Sequence, residues 1–546
     1  MIIKYKRIAN ALDGICRLVT DPGIAIARSQ HSKGKLTVAE RVEALFDPQS
    51  FVEIDNPDQK GLSKTDGERR LVTGYGMING HKIYTAIFNS AIKGGALQVS
   101  TGEKLVRLIL LAIEMGYPLL IDWDSGGADV GDGVTSLDVY SKIFTALDRT
   151  SGVIPALSIA SGRSAGGSAY GPTETDLIFM IEGSMLSPTG PQVMEMVTGQ
   201  KFSFDGLGGP ERHCKESGTG ALRFKTFLDS AHAVRRHFTF MPRNWKDLPE
   251  RRSAIEAPFA NNLDAIIAVA KEAEANNKPS GWDVRAFIDA LVDRNSFMEY
   301  YTEFAAEVVV GLAYINGYPV ALIANQRAVN GATLAPKSSN KIARWLQFAN
   351  SFNFPVITLV DTPGFNVDID VLNAGSKILK MYPRLNVPKI SVIIGKAYGG
   401  AYAAMCSKNT TRPQVQDTDL DFSRHYAFTT AEVAVMGADS GIPFVYKDEV
   451  GNIAMLTLKR DHPELFAKLK RRYAKELLTI AKAVEAGTVT PLEPAQFRQR
   501  LMQDVHELSQ RYREQFVADL IEMSKLSPRM RQFAERGMRR GGVWPY

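Results

Sequence analysis

The chain has 546 residues, of which 45% are hydrophobic, and its 65 basic and 59 acidic residues give a net charge of +6. This near balance does not indicate a nucleic-acid partner, although a mildly basic surface suits an anionic substrate. The three cysteines (Cys16, Cys214 and Cys406) are too widely spaced to indicate a disulfide framework or a zinc site, so no metal is expected. The first residues lack a signal-peptide core, and no apolar run is long enough to span a membrane. We therefore expect a cytoplasmic protein with two or more globular domains.

The first part of the chain predicts an arm followed by alternating helices and strands. Residues 1–33 predict a helical arm. The next segment predicts a helix and then a strand, with Thr37 and Glu40 at the spacing of a capping box. Residues 71–88 predict a hairpin whose tight turn is Asn79–Gly80. Helices are predicted next at 103–114 and 136–149, with a buried strand at 118–123 between them.

A buried strand, a glycine turn and the start of a helix are predicted at 153–172, VIPALSIASGRSAGGSAYGP. Small residues surround Gly166 and Gly167, so no large side chain blocks the backbone there. Backbone N–H groups at such a turn are able to point at one spot and hold a developing oxyanion. Tight packing is the commoner role of such turns, so both interpretations stay open at this point.

The same pattern occurs a second time. Residues 387–405, VPKISVIIGKAYGGAYAAM, place Gly399 233 residues after Gly166. Other segments repeat in the same order: RVEALFDPQSFVEI as FIDALVDRNSFMEY, VTGYGMINGHKI as VVGLAYINGYPV, and DWDSGG as LVDTPG. In both halves, 45 residues separate the asparagine of the Asn-Gly turn from the second aspartate of DWDSGG or the aspartate of LVDTPG. We infer two homologous α/β domains.

A duplicated domain that keeps a glycine turn in each half suggests a paired function. Two such turns would stabilise two enolate-like species, which suits the transfer of an electrophile between two carbonyl compounds. A duplicated scaffold with one working half is the alternative. Asp124 and Asp361 end predicted strands, where an aspartate more often caps the next turn than takes part in chemistry.

These motifs together resemble the carboxyltransferase (beta) subunits of the biotin-dependent acyl-CoA carboxylases, in particular the propionyl-CoA carboxylase type. The resemblance runs from about residue 31 to residue 446 and includes HSKGKLTVAERVEALFDPQSFVEI, DSGGA, AGGSAYGP, TGPQVMEMVTGQ, GLGGPERHCKESG, DTPGF and TAEVAVMG. It implies an α/β chain with two crotonase-like domains in tandem and a helical C-terminal extension. We expect an acyl-CoA domain at 34–250, a connection at 251–282, a biotin domain at 283–456 and the extension at 457–546.

The resemblance also implies a mechanism, in which a carboxyl group moves from carboxybiotin to the α-carbon of an acyl-CoA through an enolate. The amides of Gly166 and Gly167 would form the oxyanion hole for the thioester, and those of Gly400 and Ala401 the hole for biotin. The residues implied at the substrate are Gly126, Gly127, Arg163, Ala165, Tyr170 and Ala403, and those implied at the biotin cofactor are Gly364, Phe365, Tyr398 and Gly399.

The implied partners follow from what the chain lacks. It has no Met-Lys-Met biotin-attachment motif and no segment like a biotin carboxylase. Biotin would therefore be carried on a separate carrier chain and be carboxylated by a biotin carboxylase subunit. The resemblance further implies a homo-oligomer, a hexamer built as a trimer of dimers, with the acyl-CoA domain of one subunit meeting the biotin domain of another.

Three departures from the family pattern leave alternatives open. After DSGGA, the usual relatives have an Arg and then Gln-Glu-Gly, whereas this chain has Asp129 followed by Val-Gly-Asp-Gly. The loop after DTPGF is short and lacks an Arg-His pair, and Ala403 stands where the propionyl type often has an Asp. Since fold alone does not fix chemistry, a biotin-independent acyl-CoA decarboxylase, another crotonase-type enzyme and a non-catalytic assembly subunit are the alternatives.

Overall fold

The computed structural model describes residues 22–55, 70–255, 283–411 and 421–528, together with residues 530, 531 and 535. The chain forms two compact units, one comprising Met1–His213 and Thr219–Thr239 and the other Cys214–Gly218 and Phe240–Tyr546. The segment after Thr239 belongs to the second unit, because the Asn353 side chain donates hydrogen bonds to the carbonyls of Trp245 and Asp247. Residues 1–21 of the predicted arm and most of the predicted connection (256–282) lie outside the described residues.

Among the described residues, the first unit has nine strands, seven of which form one sheet with helices packed against it. Its strands are β1 Val52–Ile54, β2 Leu71–Ile78, β3 His81–Phe88, β4 Leu119–Trp123, β5 Ala156–Ala160, β6 Arg163–Ala165, β7 Leu177–Ile181, β8 Met185–Ser187 and β9 Leu222–Phe224. Its helices are α1 Pro22–Ser32, α2 Val38–Leu45, α3 Val99–Met115, α4 Val134–Asp148, α5 Gly167–Tyr170, α6 Pro191–Thr198, α7 Phe204–Gly208 and α8 Phe227–Phe238. The strand order is β1-β2-β3-β4-β5-β7-β9, and β6 and β8 form a separate parallel pair.

The second unit repeats this plan in an eight-stranded sheet. Its strands are β10 Met298–Tyr300, β11 Val308–Ile315, β12 Tyr318–Asn325, β13 Val356–Thr362, β14 Lys389–Tyr398, β15 Ser423–Phe428, β16 Glu432–Ala434 and β17 Thr490–Leu492. Its helices are α9 Val284–Leu291, α10 Pro336–Ser351, α11 Val371–Met381, α12 Gly399–Ala404, α13 Lys408–Thr411, α14 Ala438–Val445, α15 Lys447–Val450, α16 Met455–Asp461, α17 Pro463–Leu477, α18 Ala481–Glu485 and α19 Phe497–Lys525. The strand order is β10-β11-β12-β13-β14-β15-β17, with β16 paired to β14.

Both sheets change from antiparallel to parallel pairing at equivalent strands. In the first unit β1, β2 and β3 are antiparallel, and β3, β4, β5, β7 and β9 are parallel. In the second unit the change falls at β12, the equivalent of β3. Parallel strands in such sheets are buried on both faces, and β4 and β13 are buried along their whole length. The predicted pair of homologous α/β domains is confirmed.

Several local predictions are confirmed by the backbone. Thr37 and Glu40 form the predicted capping box at the start of α2. Asn79 and Gly80 both have positive φ, at 51° and 81°, as the tight hairpin turn requires. The strand predicted from residue 153 starts only at Ala156, because Pro155 has no N–H to donate to a neighbouring strand.

The C-terminal extension is helical as predicted, and it also supplies a strand. β17 pairs in parallel with β15 and closes one edge of the second sheet. Helix α19 buries one face, with Phe497 stacked on Phe287 at a ring distance of 6.0 Å. No helix of the described residues combines the length and the apolar character that crossing a bilayer requires.

Candidate active site

The glycine turns lie where the parallel strands of each sheet end. In the first unit, β4 and β5 pair in register up to Trp123 and Ala160, so the loops that follow them start at the same edge. A side chain at Gly127, where φ is 100°, would place its Cβ only 2.7 Å from the carbonyl oxygen of Ala165. The DSGGA loop and the SAGG turn are therefore in direct contact, at the carboxyl edge where α/β sheets bind ligands.

The backbone N–H of Gly166 is already used within the protein. It donates to the carbonyl of Ser187 at 3.1 Å, continuing the pairing of β6 with β8. The prediction that Gly166 is an oxyanion donor is therefore wrong for this conformation. Gly166 instead shapes the turn with a φ of 60°, which L residues rarely adopt. Gly167 follows at the start of α5, where the first N–H groups have no acceptor within the helix.

Ala128, which the sequence analysis did not single out, presents a second N–H at this place. Leu97 donates to the carbonyl of Gly127 at 2.8 Å and accepts from the N–H of Asp129 at 2.9 Å. In this parallel bridge the N–H of Ala128 points away from Leu97. Nothing in the sequence pattern indicates this short pairing outside the main sheet.

The second unit has the same arrangement with different side chains. Leu334 donates to the carbonyl of Gly364 at 2.9 Å and accepts from Asn366 at 2.9 Å, so Phe365 takes the place of Ala128. A Cβ on Gly400 would lie 3.8 Å from the ring of Phe365. Of the residues predicted at the biotin side, Gly364, Phe365, Gly399 and Gly400 are thus brought together.

The remaining predicted residues lie close to these turns. Ala165 is paired with Ser187 in the β6–β8 ladder. Tyr170 ends α5 with its side chain exposed and its ring edge-on to Phe144. In the second unit, Tyr398 precedes Gly399, is buried, and donates a hydrogen bond to Glu432.

Ala401 and Ala403 lie on α12, in the turn that starts at Gly399. Ala401 is fully buried. The carbonyl of Ala403 accepts hydrogen bonds from the hydroxyls of Ser407 at 3.2 Å and Thr410 at 3.0 Å.

The two landmark aspartates hold the edges of the sites by ion pairs and hydrogen bonds. Asp124 is buried and accepts from Lys35 at 2.7 Å and from Ser90 at 2.5 Å. Asp361 accepts from the Arg327 guanidinium at 3.1 Å and from the Lys396 N–H at 2.8 Å. Paired in this way, both carboxylates support the structural interpretation rather than a role in chemistry.

A cavity of about 730 Å³ in the first unit opens beside the DSGGA loop. Its lining includes Gly94 and Gly126, the carboxylates of Asp124 and Glu182, and the basic residues Lys33, Lys35, Arg41, Arg163 and Lys225. The Arg41 guanidinium donates a hydrogen bond to the fully buried Asp122 carboxylate at 2.5 Å. Burial raises the pKa of Asp122 above its ordinary value, although the charge of Arg41 acts to lower it. Arg163 is exposed, and its guanidinium stacks on the ring of Phe204 at 3.7 Å. Basic residues therefore outnumber acidic ones in a cavity beside the glycine turn.

Comparisons with known proteins agree with this geometry. The family model described as "Carboxyl transferase domain" matches residues 29–522. The chain is 32% identical over 505 residues to the propionyl-CoA carboxylase carboxyltransferase subunit of Haloferax mediterranei, covering 89% of this chain and 93% of that protein. It is 35% identical over 485 residues to the biotin-dependent acetyl-/propionyl-coenzyme A carboxylase beta5 subunit of Mycobacterium tuberculosis, covering 85% of each.

A solved structure shows the same fold. The crystal structure of transcarboxylase 12S, described as a hexamer assembly with methylmalonyl-coenzyme A and methylmalonic acid bound, matches with a TM-score of 0.78 and 30% identity. The match covers 89% of this chain and 92% of that one.

The fold and the family match together define a carboxyltransferase with two crotonase-like domains in tandem. The chain belongs to the carboxyl transferase domain family, which confirms the predicted class of enzyme, an acyl-CoA carboxyltransferase.

Proposed function

We propose that this enzyme moves a carboxyl group from carboxybiotin, held on a separate carrier chain, to the α-carbon of an acyl-CoA. The observation that carries the proposal is the duplicated site: each unit has a loop bridged to the neighbouring segment (Leu97–Ala128 and Leu334–Phe365) beside a Gly-Gly turn. Each unit would hold one oxyanion, because backbone N–H groups stabilise developing negative charge without a titrating side chain.

In the first unit the amides of Ala128 and Gly167 would receive the thioester oxygen as the enolate forms. Gly127 and Gly126 keep the loop free of side chains there, and Ala165 and Tyr170 flank the acyl position. The basic cavity would hold the phosphates of CoA, with Arg163 as the main phosphate contact, since a guanidinium suits phosphate oxygens.

In the second unit the amides of Gly400 and Ala401 would hold the ureido oxygen of biotin. Carboxybiotin supplies carbon dioxide and, through its ureido nitrogen, the base for the α-proton of the acyl-CoA. The site fits this group, because Gly400 leaves its backbone without a side chain and the ring of Phe365 offers an apolar wall beside it. Gly364 and Tyr398 would shape the entrance of this site.

The assembly is part of the proposal. Apolar side chains at equivalent places in the two units are exposed: Val130, Val134 and Leu137 around the start of α4, and Val367, Ile369 and Leu372 around the start of α11. Exposed apolar side chains gathered in one short segment of each unit support burial against another copy of the chain. We propose a homo-hexamer, built as a trimer of dimers and served by a biotin carboxylase and a biotin carrier. A cytoplasmic location remains a prediction.

Mass spectrometry of malonyl-CoA and methylmalonyl-CoA incubated with the purified chain tests the proposal. We expect a decarboxylated product that appears only when free biotin is added, which is carboxyl transfer run in reverse. Product formed equally well without biotin would favour the decarboxylase alternative, which is motivated by the altered loops after Asp124 and after Asp361. No turnover of any acyl-CoA with an active biotin carboxylase and carrier would favour the assembly subunit.

A further inference from the structure

A chain of buried hydroxyl groups joins the two segments that carry the proposed acyl-CoA oxyanion donors. The hydroxyl of Tyr140 on α4 lies 2.5 Å from the hydroxyl of Ser168, the residue after Gly167. Ser168 donates to the hydroxyl of Ser125 at 2.8 Å. Ser125 in turn accepts from the N–H of Gly127 at 3.4 Å. Since Ser168 gives its proton to Ser125, Tyr140 must donate to Ser168.

The three hydroxyl-bearing side chains are buried, and the ring of Tyr140 packs closely against the glycine turn. Ser125 and Ser168 are fully buried, and Tyr140 is 2% exposed. A Cβ on Gly167 would lie 2.5 Å from the ring of Tyr140, so the ring rests directly on the backbone of the turn. Burial raises the pKa of Tyr140 to about 12, so the phenol keeps its proton throughout the working range of pH.

The second unit lacks this chain at the equivalent positions. Ala401 stands where Ser168 stands, and it has no hydroxyl. Thr362 takes the place of Ser125 and accepts from the Gly364 N–H at 3.3 Å, but it donates to the carbonyl of Ala332 at 2.7 Å. Among the described residues, the positions equivalent to Ser125 and Ser168 therefore do not form this hydrogen-bond chain in the second unit.

We propose that Tyr140 is a positioning residue for carboxyl transfer: through Ser168 and Ser125 it sets the distance between the two backbone donors of the acyl-CoA oxyanion hole. This inference rests on the proposed function. Donors that are held in place before the reaction stabilise the transition state more than the bound substrate. Loss of these hydrogen bonds is therefore expected to lower kcat rather than to raise KM, since a small misplacement of reacting groups slows the reaction by a large factor.

The test compares Tyr140→Phe, Ser168→Ala and the double variant in biotin-dependent decarboxylation of methylmalonyl-CoA, or of malonyl-CoA if wild type prefers it. Tyr140→Phe keeps the ring on Gly167 and removes only the hydroxyl. Tyr84→Phe is the matched control, because Tyr84 is a buried tyrosine of the same core and takes no part in the chain. We expect a fall in kcat of about tenfold for each single variant, with KM for acyl-CoA and for biotin within about twofold of wild type.

The double variant separates the proposed role from a general effect on packing. If Tyr140 and Ser168 act through one series of hydrogen bonds, the kcat of the double variant is no lower than that of the slower single variant. A Tyr140→Phe enzyme with the kcat of wild type, a fall equal to that of Tyr84→Phe, or single effects that multiply in the double variant would each overturn the proposal. If Tyr140→Phe fails to fold, Ser168→Ala alone decides by the same split of kcat and KM. Absence of turnover in wild type would instead count against the proposed function, so the two failures are distinguishable.

Discussion

Asp47 in the first unit and Asp293 in the second make the same pair of hydrogen bonds. The carboxylate of Asp47 accepts from the N–H groups of Asn79 and Gly80 at 3.1 and 2.9 Å. Asp293 accepts from the corresponding Asn-Gly turn of its own unit at 3.0 and 2.9 Å. One aspartate after α2 and one after α9 thus fix the β2–β3 and β11–β12 hairpins, and Asp47 also forms an ion pair with Arg235 at 2.6 Å.

Replacement of Asp47 by alanine is expected to lower the free energy of unfolding by about 1–2 kcal/mol, because two turn amides lose their acceptor and Arg235 loses its ion-pair partner. Urea unfolding followed by circular dichroism measures this. Asp138→Ala, at an exposed position of α4, is the control and is expected to change stability by less than about 0.5 kcal/mol. Equal effects of the two variants would contradict the assigned role.

The same residue gives a pH dependence of known sign. Burial raises the pKa of Asp47, but hydrogen bonds from Arg235 and the turn amides outweigh it and hold the pKa below its ordinary value. The unfolded chain therefore binds this proton first as the pH falls, and the stabilisation is lost below about pH 4. We expect the stability of wild type to fall more steeply than that of Asp47→Ala over this range. Parallel curves would show that Asp47 makes no such contribution.

Gly166→Val is expected to abolish turnover of acyl-CoA, because a branched residue at a φ of 60° distorts the turn that leads to Gly167. A Cβ there meets no protein atom closer than 4.0 Å, so the loss would come from the backbone and from the space that substrate needs. Gly199→Val is the control, since Gly199 has a φ of 71° at the end of α6 with open space around it. Wild-type turnover in Gly166→Val would remove the turn from the site.

Arg163→Ala is expected to raise KM for acyl-CoA about tenfold while leaving KM for biotin unchanged, because the CoA phosphates would lose their contact with the guanidinium. The same variant should leave KM for an acyl-pantetheine unchanged, since that substrate lacks the nucleotide phosphates. Arg107→Ala removes an exposed arginine that pairs with Asp55 and does not line the cavity, so it is the control. An equal rise in KM for both substrates would indicate that Arg163 acts on the acyl position instead.

Enlargement of Ala403 is expected to narrow the range of acyl chains. Ala403→Leu should reduce kcat/KM for long acyl-CoAs relative to propionyl-CoA by about tenfold or more, the scale on which apolar pockets discriminate by size. Competition between acyl-CoAs of different length, read by mass spectrometry, gives the ratio directly. An unchanged ratio would place the end of the acyl chain elsewhere.

The architecture was predictable from the sequence because the same series of motifs occurs twice in the chain. A single strand, turn and helix is ambiguous, but a second copy with the same spacing is not, and the Asn-Gly turns and the capping box carry their geometry in residue types. The choice of oxyanion donors was not predictable in full. Residues 166 and 167 are both glycine, so residue type does not distinguish their amides. Only the pairing of β6 with β8 shows that the N–H of Gly166 already donates to a carbonyl of the protein. Ala128 was missed because the direction of its N–H depends on a bridge to Leu97, a contact between segments whose side chains carry no signal for it.

The central claim of the proposal is that the glycine turn of the second unit holds biotin, whereas that of the first unit holds the acyl-CoA thioester. Gly400→Val tests it most directly, because φ at this position is not positive and the new Cβ would make an ordinary contact of 3.8 Å with Phe365. We expect the variant to bind acyl-CoA with the Kd of wild type, measured by calorimetry, and to lose biotin-dependent decarboxylation. Weakened binding of acyl-CoA, or full biotin-dependent turnover, would contradict the account.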